Sequence, residues 1–284
     1  MTQPVIILGA ARSGTKYLRD ILATSAQAKA VPYDINYIWR YGSEGAPDDV
    51  LSPELLTPRK ISFIRNQVHR LAKLPPSSGD VLLEKTVSNT LRVPFCNVAF
   101  PDALFVHLVR DGRAVTESAM RQWQEPLRAS RLFEKLKGLP LQNLGYAAWF
   151  GGNLIKGLSS GRGGGKIWGP RYPGITEDVA EQRDLVEICA KQWSFSIDYA
   201  LEDLSSIEGA RQITIRYDDL VGGTDALRRV IDFCNIKDAD NILAMHDKKV
   251  RKGADTKWKD ELDLKQQRRM MRIIEPNLHR LGYT

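Results

Sequence analysis

Ile6-Ile7-Leu8-Gly9-Ala10-Ala11-Arg12-Ser13-Gly14-Thr15-Lys16-Tyr17-Leu18 decides how the rest of the chain is read. Pro4–Leu8 is an apolar, β-branched run of strand length that ends in a loop of small residues. A helical pattern follows, from about Thr15 to Ala23. A strand, a small-residue loop and a helix start in succession aim several backbone N–H groups at one point, with the positive end of the helix dipole behind them. That is a place for an anion, and a phosphate group fits it. Gly9 and Gly14 have the spacing of the nucleoside-triphosphate loop, which needs Lys directly after its second Gly. Thr15 stands there instead, Lys16 comes one position late, and the cation inside the loop is Arg12.

Working outward, three more short apolar runs read as buried strands: Val81–Leu83, Leu104–Val109 and Ile213–Tyr217. Helical patterns lie between them. This alternation predicts an α/β fold, with a central parallel sheet flanked by helices. Thr224 to Cys234 reads as a helix with Thr224 as N-cap, and Leu262 to Ile274 as an amphipathic helix that stops at Pro276. The 284 residues suit a single domain over 1–284, in which about 121–200 forms a helical region. Tyr41 to Pro58 reads as a loop. Ser159 to Gly174 is Gly-rich and carries Trp168, Pro170, Arg171 and Pro173; a lid over a site and a plain connection both fit it.

Composition narrows the class. The apolar and charged fractions, 43% and 26%, are those of an ordinary soluble protein. No apolar run is long enough to span a membrane. A strand begins almost at the N-terminus, which leaves no room for a signal peptide. Cys96, Cys189 and Cys234 are odd in number and far apart, so they suggest neither a metal site nor a disulfide framework. A cytoplasmic location is expected. The net charge of +7 favours anionic ligands without saying which.

Two further segments carry cations placed to meet an anion. Phe105-Val106-His107-Leu108-Val109-Arg110-Asp111 is a strand ending in Arg, with Asp111 placed to cap the next helix. Ser118 follows eight residues after Arg110, on that helix. A guanidinium fork and a hydroxyl can close on one phosphate from two sides. Val250-Arg251-Lys252-Gly253, followed by Trp258-Lys259, lets a loop wrap an anion with backbone and side chains. No convincing acidic residue stands at a strand end to hold magnesium, since Leu104–Val109 leads into Arg110 and Asp111 reads as a helix cap; no metal is expected. The four histidines, His69, His107, His246 and His279, form no cluster; His107, inside an apolar strand, reads as structural.

Arg12-Ser13-Gly14-Thr15 resembles the phosphosulfate loop of sulfotransferases that use 3'-phosphoadenosine 5'-phosphosulfate (PAPS). Arg110 with Ser118 resembles that family's 3'-phosphate site, and Arg251-Lys252-Gly253 with Trp258-Lys259 its C-terminal loop. The three elements occur in the family's order. The resemblance implies a P-loop sulfotransferase fold of bacterial or carbohydrate type. It implies transfer of a sulfuryl group from PAPS to a hydroxyl or amine, leaving 3'-phosphoadenosine 5'-phosphate (PAP). Arg12, Ser13, Gly14, Thr15, Lys16 and Tyr17 would hold the donor. Lys16 stands where the family commonly has a second Thr, and Tyr17 where cytosolic members carry a Trp against adenine. Tyr217, in Arg216-Tyr217-Asp218-Asp219-Leu220, would lie near the adenine.

By the same resemblance, Arg12 and Lys85 would stabilise charge on the departing oxygen. Cytosolic members carry a basic His two residues after that Lys, and here the position is Val87. Glycan- and tyrosine-modifying members use an acidic residue after the first helix, which makes Asp34 the first candidate base and Glu84 the second. Arg171 is a candidate acceptor contact. The acceptor leans toward a carbohydrate, a lipid-linked molecule or a small natural product. A P-loop kinase and a non-catalytic basic module remain alternatives. No base-stacking motif points to nucleic acid.

Overall fold

The computed structural model describes residues 1–125, 167–250 and 256–283. Its first part contains β1 (Gln3–Leu8), α1 (Thr15–Leu22), β2 (Ala28–Ala30), α2 (Asn36–Trp39), α3 (Pro58–Ala72), β3 (Val81–Glu84), α4 (Val93–Ala99), β4 (Leu104–Val109) and α5 (Gly112–Gln124). Then come α6 (Ile175–Ala180), α7 (Leu185–Leu204), β5 (Gln212–Arg216), α8 (Tyr217–Gly222), α9 (Asp225–Phe233), α10 (Ala239–Lys249), α11 (Trp258–Glu261) and α12 (Leu264–Arg280).

The five strands form one parallel sheet in the order β2-β3-β1-β4-β5. β1 is central because both its faces are apolar. Ile6 and Leu8 pack with Leu82 and Phe105 beneath α2, α3 and α4. Val5 and Ile7 pack with Leu83, Val106 and Leu108 against α1, α9 and α10. Burial on both sides is why the strands read as continuous apolar runs rather than alternating ones. A third apolar cluster joins α5, α7 and α12 through Val115, Trp193, Met270, Ile274 and Leu278. It closes the end of the sheet beyond Val109.

Three details differ from the sequence expectations. β2 is an edge strand of three residues, pairing Ala28 with Val81, and is too short to register as a pattern. Tyr217 opens α8 instead of ending β5. The last helix does not stop at Pro276 but runs through it to Arg280. An interior proline costs about 3 kcal/mol. Against that, Leu278 is buried beyond it, and Asn277 Nδ2 donates to Ser194 Oγ and Asp198 Oδ1, each at 2.9 Å. These contacts with α7 hold the final turn. At its other end the helix starts on an Asp263–Gln266 capping box.

All strands point the same way, so their carboxyl ends lie along one edge of the sheet. In open parallel sheets that edge is where ligands bind. The loop after β1, Lys85 after β3, Arg110 after β4 and Tyr217 after β5 all lie there. No helix among the described residues is long and apolar enough to cross a membrane.

Candidate active site

The loop between β1 and α1 is tight, and two glycines make it possible. A Cβ on Gly9 would stand 2.6 Å from the Leu108 carbonyl oxygen, so Gly9 lets β1 leave the sheet hard against β4. Gly14, at φ 97°, is the N-cap of α1, and a Cβ there would stand 2.6 Å from the Tyr217 ring. Ser13 Oγ donates to the Ala10 carbonyl at 2.6 Å and closes the turn from inside. The N–H groups of the first turn of α1 have no intrahelical acceptor, and they open onto this loop.

Arg12 adopts φ 75°, a left-handed conformation that a side chain with a Cβ takes only when its surroundings hold it. Two contacts do so. Arg110 Nη1 donates to the Arg12 carbonyl at 3.0 Å, and Arg12 Nε donates to Ser118 Oγ at 3.0 Å. Arg12 Nη1 also reaches Gln122 Oε1 at 3.3 Å. Burial, with Arg121 nearby, pulls the Arg12 guanidinium below its ordinary pKa. The loop residue and the Arg110–Ser118 pair, read from separate segments, are thus one cluster.

Arg110 is fixed from three sides. Its guanidinium lies 4.2 Å from the centroid of the Tyr217 ring, and its carbonyl accepts from Trp193 Nε1 at 3.1 Å. The next residue, Asp111, caps α5 by accepting from Arg113 N at 2.8 Å, as its position predicted.

Across the mouth of the sheet, Lys85 Nζ donates to Asp34 Oδ1. The Lys85 side chain is 8% exposed and that of Asp34 35% exposed, so the pair sits at the surface of the crevice.

Residues 4–143 match the model of the sulfotransferase family. The match covers just under half of the chain. No curated protein matches it. Among solved structures, the sulfotransferase domain from the curacin biosynthetic pathway is 18% identical, with a TM-score of 0.55, covering 100% of this chain and 99% of that one. Sulfotransferase STF9 from Mycobacterium avium is 13% identical with a TM-score of 0.56, covering 98% of this chain and 76% of that one. A sulfotransferase from Alicyclobacillus acidocaldarius is 12% identical with a TM-score of 0.51, covering 99% and 95%. At these identities the likeness is one of fold. Sulfuryl transfer is the chemistry of the family.

The remaining expected residues take distinct positions. Thr15 is buried beside Gly9. Lys16 points out along α1 and pairs with Asp20 one turn on, on an exposed face. Tyr17 is half-buried in the first turn of α1. Glu84 is only 1% exposed, and donors surround its carboxylate: Trp39 Nε1 at 3.2 Å, Thr86 Oγ1 at 2.6 Å and Asn89 Nδ2 at 2.9 Å. Burial raises its pKa against those hydrogen bonds. Of the two candidate bases, Asp34 is partly exposed and Glu84 is buried. Arg251, Lys252 and Gly253 lie outside the described residues, as does 126–166 of the expected acceptor-side region.

Arg171 enters the site through its main chain. Its N–H donates to Asp49 Oδ2 at 2.9 Å, and its carbonyl accepts from Asp49 N at 2.8 Å. Asp49, fully buried, also accepts from Asn36 Nδ2 at 3.0 Å, Ser88 Oγ at 2.7 Å and Arg40 Nη1 at 2.9 Å. Burial alone would raise its pKa, but Arg92 and Arg40 hold it below the usual carboxylate value. Asn36 is two residues from Asp34, and Ser88 three from Lys85. One carboxylate therefore anchors the segments that carry both residues. Sequence reasoning missed Asp49, whose Gly-, Pro- and Asp-rich surroundings read only as a loop.

Proposed function

We propose that the donor is PAPS and that the crevice at the carboxyl edge of the sheet transfers its sulfuryl group to an acceptor hydroxyl or amine. The observation that carries this reading is the bridge Arg110–Arg12–Ser118. It brings the anion loop and the expected 3'-phosphate pair to one place, while Gly14 lets the Tyr217 ring pack where a side chain would stand. Two anionic groups on one nucleotide, the 5'-phosphosulfate and the 3'-phosphate, suit two adjoining cationic positions. The 5'-phosphosulfate would take the α1 N–H groups and Arg12, and the 3'-phosphate Arg110 and Ser118. Tyr17 and Tyr217 flank Gly14 and would line the adenine.

In the transfer step the acceptor oxygen or nitrogen forms a bond to sulfur as the bond from sulfur to the bridging oxygen breaks. The electron pair leaves on the 5'-phosphate of PAP. Lys85 and Arg12 stabilise that developing charge. The acceptor's proton passes to Asp34, whose carboxylate lies beside Lys85. The acceptor, a carbohydrate, lipid-linked molecule or small natural product, would enter past the Arg171 segment.

Calorimetric titration with PAP in the absence of Mg²⁺, beside ATP, tests the donor assignment. Micromolar or tighter PAP binding with ATP much weaker supports it. No PAP binding, or preference for Mg-ATP, rejects it.

A further inference from the structure

Tyr17 and His246 are 229 residues apart, yet Tyr17 Oη lies 2.7 Å from His246 Nδ1. The ring centroids are 5.9 Å apart and tilted by 54°. His246 is 1% exposed, in the last turn of α10. Burial, with Tyr217 and Asp247 nearby, pushes the Tyr17 phenol up to about 12. The hydroxyl therefore keeps its proton and donates it. Burial also moves His246 below its ordinary value, against Asp247 and the nearby Gly223 main chain. A neutral imidazole whose Nδ1 accepts from Tyr17 carries its proton on the other ring nitrogen.

We infer that His246 is a positioning residue of the donor site: it fixes the Tyr17 ring as a rigid wall beside the loop, ready for the nucleobase. The inference rests on the donor reading above. A tyrosine in the first turn of a helix has free rotation about two side-chain bonds, and a base stacking on it must pay for stopping that rotation. The His246 bond stops it beforehand. His246 is itself immobile, because α10 is docked on the far end of α1 by Asn241 Nδ2 on the Thr24 carbonyl at 2.9 Å, and just before its start by Lys237 N on Gln27 Oε1 at 2.9 Å. Ile242 and Leu243 are buried in the same apolar cluster as Leu18 and Ile21. The hydroxyl that Tyr17 offers here, and that a Phe lacks, thus serves orientation.

The test measures dissociation constants for two probes, PAP and inorganic pyrophosphate, with wild type, Tyr17→Phe, His246→Ala and His246→Asn. Pyrophosphate engages the loop without a base. Loss of one hydrogen bond corresponds to about three- to tenfold in affinity. Tyr17→Phe and His246→Ala are each expected to weaken PAP by that factor and leave pyrophosphate unchanged. The double variant should be no weaker than either single one. His246→Asn, whose amide oxygen takes the place of Nδ1, should recover most of the affinity. PAP binding unchanged in Tyr17→Phe would overturn the inference. So would equal weakening of both probes, which marks general loosening of the loop. Failure of the wild-type chain to bind PAP would remove the donor site itself, and this inference with it.

Discussion

The Arg110 guanidinium carbon lies 4.2 Å from the centroid of the Tyr217 ring, so the ends of β4 and β5 meet face to face beside the anion loop. An aromatic face satisfies a cation without occupying its N–H donors, and Arg110 Nη1 holds the Arg12 carbonyl at 3.0 Å. Arg110→Ala removes a charge-assisted contact, about 1.5–3 kcal/mol. PAP affinity should fall by about tenfold or more on that scale. Arg110→Lys should recover only part of it, because the planar fork is lost. Calorimetry reads both variants, and unchanged binding in Arg110→Ala would remove the 3'-phosphate assignment.

Lys85 and Asp34 differ in what they do for binding and for chemistry. PAP keeps the former bridging oxygen on its 5'-phosphate, so Lys85→Met should weaken PAP by about tenfold, the loss of one charge-assisted contact. Turnover of PAPS should fall by about a hundredfold or more, the usual loss when a donor aimed at developing charge is removed. Asp34→Asn should spare PAP binding and abolish transfer. The assay is PAP formed from PAPS with a panel of carbohydrate, lipid and small natural-product acceptors. Full activity in Asp34→Asn would place the base elsewhere, first at Glu84.

Asp49 carries a stability prediction. Asp49→Ala would leave Arg40 and Arg92 buried without their carboxylate, and would remove the side-chain half of the strap to Arg171. Breaking a buried ion pair from one side costs about 3–5 kcal/mol. Urea denaturation should show that loss as a lower midpoint. A midpoint equal to wild type would mean that the cluster contributes nothing to the fold.

His107 gives a pH signature. It is fully buried in β4, and neither ring nitrogen has a hydrogen-bond partner among the described residues. Burial pushes its pKa down to about 4, from 6.5. The unfolded chain therefore binds the proton more tightly than the folded one between those values. This site's contribution to stability is constant above pH 6.5 and declines as pH falls toward 4, by about 1.4 kcal/mol per unit. His107→Leu should remove that slope and hold or raise stability at pH 7, since no partner is lost. Denaturation from pH 4 to 7 compares the two; parallel curves would disprove the assignment.

The strands β1, β3, β4 and most of β5 were readable because each is a short apolar run whose burial depends only on its own side chains. The anion loop was readable for a similar reason: Gly9 to Thr15 is contiguous, and its geometry follows from a strand, two glycines and a helix start. Asp111 as a cap acts over two residues. In each case the physics is local, and the order of residues states it directly.

Other features depended on partners that the chain brings together only on folding. Pro276 breaks a helix by local rules, and only the packing of Leu278 and Asn277 on α7 carries α12 past it. Asp34 ranked ahead of Glu84 by resemblance alone; the fold buries Glu84 and leaves Asp34 partly exposed. Asp49 and Arg171 are 122 residues apart, and Tyr17 and His246 are 229 apart. No periodicity or spacing encodes such pairs, because a hydrogen bond depends on distance in space. The sequence by itself determined which chemistry stands at the end of each strand. The tertiary structure alone decided which of those groups face the crevice and which are held beneath it, because burial and partner choice are set when separate segments pack together.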